Sequence, residues 1–177
     1  NIYPVGRLDY DSEGLLLLTN DTTVNHQLLN PRMKTNKVYY AQVEGEITKE
    51  AIQKLREGVE ISLPAKKKNK SSKNKKGPKT ALVEKYTTLP CEIYKIPAPD
   101  LPERNPPIRL RENIPTTWIS LFLIEGKNHQ VRKMCAAVGF PVLRLVRYSI
   151  GKLTIKEMDA GDLIEITRED IIPNPQP

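Results

Sequence analysis

The apolar run at residues 117–124 constrains the fold of this chain more than any other feature. It reads Thr-Trp-Ile-Ser-Leu-Phe-Leu-Ile, so bulky apolar side chains fall on both faces of an extended segment. A strand that is apolar on both faces has to be covered on both sides. The run therefore predicts a central strand of a sheet.

Strand patterns recur along the rest of the chain. Segments of strand length, rich in apolar, β-branched or aromatic side chains, occur at 14–19, 37–44, 81–87, 142–148 and 161–166. Several of these strands follow one another directly, and no strand-helix-strand unit is repeated. The sequence therefore predicts an α+β fold with a mixed, largely antiparallel sheet flanked by helices.

Capping residues and periodicity predict three helices. Asp21 caps a short first helix, and a second lies between Thr48 and Gly58. Residues 128–139 place apolar side chains at helical spacing on one face, which predicts the third. Residues 90–115 contain seven prolines and predict an irregular connection, because proline removes donors from helices and sheets.

The length of 177 residues and the apolar content of 38% indicate a single domain, residues 1–177, with a buried core. No stretch approaches the ~18 consecutive apolar residues that a membrane span needs, and the first residues lack a signal-peptide pattern. We therefore expect a cytoplasmic protein that does not enter a membrane. Cys91 and Cys135 match no metal or redox spacing, and we expect reduced structural thiols.

The net charge of +7 is concentrated in two places, residues 64–80 and residues 125–152. The first segment has eight lysines, no acidic residue and almost nothing to bury, which predicts a disordered Lys-rich insertion. It is either a solvated loop or an arm that binds phosphate groups through counterion release. The second segment has the pattern of an ordered helix and strand, so its charge favours a nucleic-acid partner.

Three acidic residues, Asp9, Asp11 and Glu13, stand at alternate positions before Gly14. The spacing imitates the opening of a calcium-binding loop, but the position of the closing bidentate glutamate is occupied by Asn20. We expect no metal site here. A polar turn between strands remains open, as does a carboxylate pair of a hydrolase in which Asp11 or Glu13 is a second essential acid.

Three motifs resemble those of the pseudouridine synthases, in the branch that modifies ribosomal RNA. They occur in the order and spacing of that family. The signature loop is Gly6-Arg7-Leu8-Asp9 with Ser12 and Gly14-Leu15-Leu16, the K-x-Y strand is Lys37-Val38-Tyr39, and the helix motif is Glu125-Gly126-Lys127-Asn128-His129-Gln130-Val131-Arg132-Lys133-Met134. Residues 104–109 and 114–118 are similar to one subgroup of the large-subunit enzymes. The resemblance covers about residues 3–62 and 82–166.

The resemblance implies the catalytic fold of that family, with a central cleft, and isomerisation of a uridine in large-subunit (23S) ribosomal RNA to pseudouridine. Asp9 matches the catalytic aspartate, which attacks the sugar or acts on it as a base. Tyr39 matches the tyrosine that stacks on the flipped uracil. Arg132 matches the basic residue that pairs with the aspartate and keeps it ionised. The reaction has no redox step, so no cofactor is expected.

The resemblance also implies an RNA-binding surface beside the site, at a set of basic and polar residues: Arg7, Lys37, Lys127, His129, Gln130, Lys133, Arg144 and Arg147. Contacts with phosphate groups would offset part of the cost of flipping the target base. A non-catalytic RNA-binding module on the same fold would explain the charge equally well. The set of Asp9, Tyr39 and Arg132 favours the enzyme.

The family's catalytic domain begins before its signature loop, with a strand and an N-K-P loop, and an RNA-binding S4 module often precedes it. The chain starts at Asn1 without these segments. We therefore expect an N-terminally incomplete catalytic domain. We also expect a monomer.

Overall fold

The computed structural model describes residues 1–65 and 83–171. Its main sheet is built around β4 (Lys37–Glu44), which runs antiparallel to β8 (Thr116–Leu123) on one side and to β9 (Val142–Ile150) on the other. β7 (Glu92–Ile96) lies beyond β8, and β10 (Leu153–Thr154) lies beyond β9. The largely antiparallel sheet and the interior position of β8 confirm the predicted α+β fold.

A sixth strand joins this sheet by a parallel pairing. β2 (Glu13–Gly14) lies beside β9, with Gly14 opposite Arg147. Gly14 has φ +102°, and a Cβ at this position would lie 2.3 Å from the carbonyl oxygen of Arg147. Only glycine combines this positive φ with so close an approach of two backbones. The loop that carries Asp9 is thereby anchored to β9.

The N-terminal part packs on a second apolar cluster, which it shares with Ile150 and with residues of the C-terminal part between Leu153 and Ile171. β1 (Tyr3–Pro4) pairs with β3 (Leu18–Thr19), and α1 (Thr22–Leu29) follows, capped by the Asp21 carboxylate, which accepts a hydrogen bond from the Thr23 N–H at 2.7 Å. Of the single strand predicted at 14–19, only Gly14, in β2, and Leu18–Thr19, in β3, are paired as strands. A 3₁₀ turn at Pro31–Met33 follows α1.

The main core lies on one face of the large sheet. α2 (Lys49–Glu57) and α3 (Gln130–Ala137) contribute to it, as does a hairpin of β5 (Glu60–Pro64) and β6 (Val83–Thr87). Its most deeply buried side chains are Leu55, Ile93, Ile119, Leu121, Val43, Met134 and Cys135. Thr48 caps α2 and Gly58 ends it, so the three predicted helices are all present.

Two sequence expectations are wrong. The region 90–115 is not irregular throughout, because the proline-free stretch Glu92–Ile96 pairs with β8 as an edge strand. Residues 161–166 form no strand, since none of the described strands runs alongside them, and Leu163 and Ile164 are exposed. The short helix α4 (Arg168–Ile171) follows.

Residues 66–80 of the predicted Lys-rich insertion lie outside the described residues. Across residues 1–65 and 83–171, no helix is long and apolar enough to span a membrane.

Candidate active site

A cavity of about 340 Å³ opens where the loop after β1, the strands β4 and β9, and the loop before α3 meet. Its volume falls in the range of small-molecule pockets. The cavity brings together eight of the eleven predicted site residues: Arg7, Asp9, Lys37, Tyr39, Lys127, His129, Gln130 and Arg147. The other three, Arg132, Lys133 and Arg144, lie outside its lining.

Asp9 sits at the start of a tight turn in which the Ser12 N–H donates to the Asp9 carbonyl at 3.0 Å. Its carboxylate Oδ2 lies 3.2 Å from Nδ1 of His129, and the Asp9 side chain is 27% exposed. His129 is the residue before α3 and has a left-handed backbone, with φ 50°. This pair places a half-buried carboxylate, oriented by an imidazole, on the wall of the cavity.

The prediction that Asp9 and Arg132 form an ion pair is wrong. The guanidinium of Arg132 instead lies 3.1 Å from the carboxylate of Asp11, donates to the Asp11 carbonyl at 3.1 Å, and donates to the Val142 carbonyl at 3.4 Å. Asp9 and Asp11 are two positions apart in the turn, with Tyr10 between them, whereas His129 and Arg132 are three positions apart at the start of α3. Asp9 therefore meets His129, and Asp11 meets Arg132.

The floor of the cavity is formed by the sheet. Lys37 and Tyr39 are two residues apart on β4 and so share a face, and Tyr39 is directly opposite Arg147 on β9. Arg147 is only 4% exposed and donates from Nε to the Leu15 carbonyl at 2.7 Å. Burial, and secondarily the charge of Arg147, lower the pKa of Lys37. The floor of the cavity therefore carries one aromatic ring and two cationic side chains.

A buried carboxylate, Glu125, organises the loop before α3. It accepts hydrogen bonds from the Tyr86 hydroxyl at 2.5 Å, the Leu89 N–H at 2.9 Å and the Gln130 amide at 2.6 Å. Burial and the bond to Glu125 raise the pKa of Tyr86 to about 12. The Gln130 Oε1 accepts from the Lys127 N–H at 2.8 Å. Both ends of the Gln130 amide are therefore bonded inside the protein, and its contact with RNA stays a prediction.

Arg144 is bound to an acidic side chain of the protein, and its predicted contact with RNA stays a prediction. Its guanidinium binds both carboxylate oxygens of Glu13, at 2.8 and 3.0 Å, and donates to the Pro102 carbonyl at 2.7 Å. Arg104 approaches the same carboxylate at 3.3 Å. This Glu13 clamp joins the Asp9 loop, β9 and the connection between β7 and β8. Lys133 remains at the surface, where its Nζ donates to the Asn128 side chain at 3.0 Å.

Sequence reasoning missed three residues that organise the site. Glu125 opens the third motif, so its position was visible although its role was not. Glu13 was noticed only as an acid that could belong to a metal loop or a hydrolase. Tyr86 had no signal, because its contact with Glu125 joins positions 39 residues apart. Among the described residues, no three His, Cys, Asp or Glu side chains are placed to hold a metal ion.

Comparisons with known proteins identify the family of the chain. The family described as RNA pseudouridylate synthase matches residues 1–137. Ribosomal large subunit pseudouridine synthase E of Vibrio parahaemolyticus is 44% identical over 166 residues, covering 94% of this chain and 60% of that protein. The Xanthomonas axonopodis protein of the same name is 43% identical over 152 residues, covering 85% of this chain and 68% of its own length. These proteins represent the subgroup that residues 104–109 and 114–118 resemble.

A more distant relative is ribosomal large subunit pseudouridine synthase B of Bacillus subtilis, 32% identical over 170 residues, which cover 96% of this chain and 56% of that protein. The chain spans about 60% of the length of the first Vibrio relatives. A solved structure described as a pseudouridylate synthase superposes with a TM-score of 0.66 at 22% identity, over 96% of this chain and 58% of that one, and supports the fold. The chain belongs to the RNA pseudouridylate synthase family.

Proposed function

We propose that the protein isomerises a uridine of large-subunit ribosomal RNA to pseudouridine, and that the described cavity receives the flipped uridine. The observation that carries the proposal is the placement of Asp9 and Tyr39 in one cavity. Family membership supports the reaction, and relatives named as large-subunit synthases support the class of RNA.

The proposed reaction exchanges one bond for another. The bond between C1′ of ribose and N1 of uracil breaks, the base turns within the cavity, and C5 forms the new bond to C1′. C5 then loses its proton and N1 gains one. Asp9 acts on the sugar, as a nucleophile at C1′ or as a base. His129 orients the Asp9 carboxylate from 3.2 Å, and the ring of Tyr39 provides a surface on which the base stacks.

Substrate binding is proposed for the basic residues at the mouth of the cavity. Arg7, Lys127 and His129 are exposed there, and Lys133 lies on the adjoining surface of α3. Flipping a base out of its stack costs a few kcal/mol. Contacts of these side chains with phosphate groups would offset part of that cost.

Arg132 has a positioning role in this proposal. It binds both the carboxylate and the carbonyl of Asp11 and so holds the turn that presents Asp9. The hydrolase alternative requires Asp11 or Glu13 as a second reacting acid. Both carboxylates are bound by arginines, Asp11 by Arg132 and Glu13 by Arg144, which disfavours that role.

Mapping of pseudouridine in large-subunit rRNA tests the proposal. RNA is compared from cells with and without the full-length gene, and from deleted cells that carry the gene on a plasmid. We expect pseudouridine to disappear from a defined uridine on deletion and to return with the plasmid. Identical maps in all three strains would contradict the proposal and favour a non-catalytic RNA-binding module.

A further inference from the structure

Two cationic side chains lie together at the floor of the cavity. Lys37 is half-buried, Arg147 is 4% exposed, and both line the cavity beside Tyr39. The sheet fixes this arrangement, because Lys37 and Tyr39 share a face of β4 and Arg147 is opposite Tyr39 on β9. Any planar group that stacks on Tyr39 therefore lies within the field of two positive charges.

In the part of the chain that the structure describes, these two charges have no counter-ion. Within residues 1–65 and 83–171, neither Lys37 nor Arg147 forms a salt bridge. Their hydrogen bonds go to backbone carbonyls, from Lys37 to Thr35 at 3.3 Å and from Arg147 to Leu15 at 2.7 Å and to Arg7 at 3.4 Å. Nη2 of Arg147 is buried without a hydrogen-bond partner.

Burial of two like charges without a carboxylate is unfavourable, and the lowered pKa of Lys37 reports the same imbalance. Such a site binds an anion more strongly than exposed basic residues do, because little water remains to screen the charges. An uncompensated, fixed charge is also what stabilises charge that develops during a reaction.

We propose that Lys37 and Arg147 stabilise the negative charge that uracil acquires as it leaves the ribose. This inference rests on the proposed function and assigns a further catalytic role within it. When the C1′–N1 bond breaks, its electron pair goes to N1, and the charge spreads to O2 and O4 of the ring. The charge is discharged when C5 bonds to C1′. The proton that C5 then loses is balanced by one that N1 takes up, so the step consumes no other reactant.

The position of the two cations favours the base over an RNA phosphate as their partner. Asp9 acts on the sugar and Tyr39 contacts the base, and the cations lie on the Tyr39 side, in the floor of the cavity. Arg147 is almost inaccessible from the surface, so only a group that enters the cavity reaches it. The exposed side chains of Arg7 and Lys127, with the partly exposed Lys133 nearby, form the accessible surface for phosphate groups.

The test uses the full-length protein and a synthetic RNA that contains the uridine found by mapping. Single-turnover cleavage of the C1′–N1 bond is measured at saturating RNA for the wild type, Lys37→Met and the control Lys95→Met. Lys95 is an exposed lysine on β7 that pairs with Glu46, outside the cavity. We expect a rate about 10²–10³-fold lower for Lys37→Met, an unchanged rate for Lys95→Met, and unchanged RNA affinity for both variants.

A second substrate separates charge stabilisation from positioning. RNA with 5-fluorouridine at the target presents a more acidic and therefore better leaving base, so it depends less on the two cations. We expect Lys37→Met to lose a smaller factor in cleavage rate with 5-fluorouridine than with uridine. Arg147→Lys, which keeps the charge, is expected to retain more activity than Arg147→Met, with thermal unfolding of both variants as the control for folding.

Three results would overturn the inference. A normal cleavage rate for Lys37→Met would remove the lysine from the chemistry. Loss of affinity, with the slope of log affinity against log salt reduced by ~0.7–0.9, would identify a phosphate contact. Equal losses with uridine and 5-fluorouridine would indicate positioning alone. Failure of the wild type to isomerise any uridine would instead contradict the proposed function, so the two failures are distinguishable.

Discussion

Replacement of Glu13 by glutamine tests whether the Glu13 clamp holds the Asp9 loop in place. The substitution keeps the shape of the side chain but removes the charge that Arg144 and Arg104 share. The exposed side-chain fractions are 29% for Glu13, 12% for Arg144 and 20% for Arg104, between those of buried and surface ion pairs. Breaking a buried pair costs about 3–5 kcal/mol and a surface pair about 0–1 kcal/mol. We expect the free energy of unfolding of Glu13→Gln to be about 2 kcal/mol lower than that of the wild type.

At ~2–4 °C per kcal/mol for a chain of this size, the melting temperature should fall by about 4–8 °C. Urea and thermal unfolding of the full-length protein measure the change. Glu60→Gln is the matched control, because Glu60 pairs with Lys85 at 2.7 Å but the two side chains are 56% and 77% exposed. We expect a much smaller decrease in the stability of Glu60→Gln than of Glu13→Gln, because solvent screens this exposed pair. Equal stability of the two variants would refute the reasoning.

The same unfolding assay should show Gly14→Ala to be destabilised by at least ~2 kcal/mol, because its Cβ would lie 2.3 Å from the β9 backbone. The control is Gly139→Ala, which has φ +90° but open space around the Cβ and should lose less stability. Equal losses of stability for Gly14→Ala and Gly139→Ala would contradict the packing argument. Burial raises the pKa of Cys91 to about 11 and of Cys135 to about 12, so iodoacetamide at pH 8 should label both thiols slowly until the protein is denatured, as followed by mass spectrometry. Rapid labelling of the native protein would refute this. Deletion of residues 66–79 should reduce the salt slope of RNA binding without lowering the melting temperature, whereas an unchanged slope would make this segment a passive insertion.

Elements whose order depends on local pattern could be predicted from the sequence. β4 was expected at 37–44 and is Lys37–Glu44, because β-branched and aromatic residues fill it and Gly45 follows. The helix α2 was equally well marked by Thr48 and Gly58. β7 was missed because the prolines around it dominated the composition of the region. Residues 161–166 have a strand pattern, but a strand also needs a neighbour, which no local pattern reveals.

The composition of the site was easier to predict than its contacts. Eight predicted residues line one cavity, because the motifs that contain them are short and rigidly placed. The pairing of Asp9 with His129 depends on the turn after Asp9 and on the left-handed backbone of His129, and neither follows from residue type. The meeting of Tyr39 with Arg147 depends on a register shift between Val38 and Tyr39, which has no signature in either strand alone.

The central claim is that the Asp9 carboxylate performs the isomerisation. The most direct test is the conversion of uridine to pseudouridine in unmodified large-subunit rRNA by the purified full-length protein and by Asp9→Asn, with RNA affinity measured in parallel. The substitution keeps the size of the side chain and removes its charge. We expect conversion by the wild type at one uridine, and no conversion but nearly unchanged RNA affinity for Asp9→Asn. Conversion by Asp9→Asn at a rate close to that of the wild type would contradict the account.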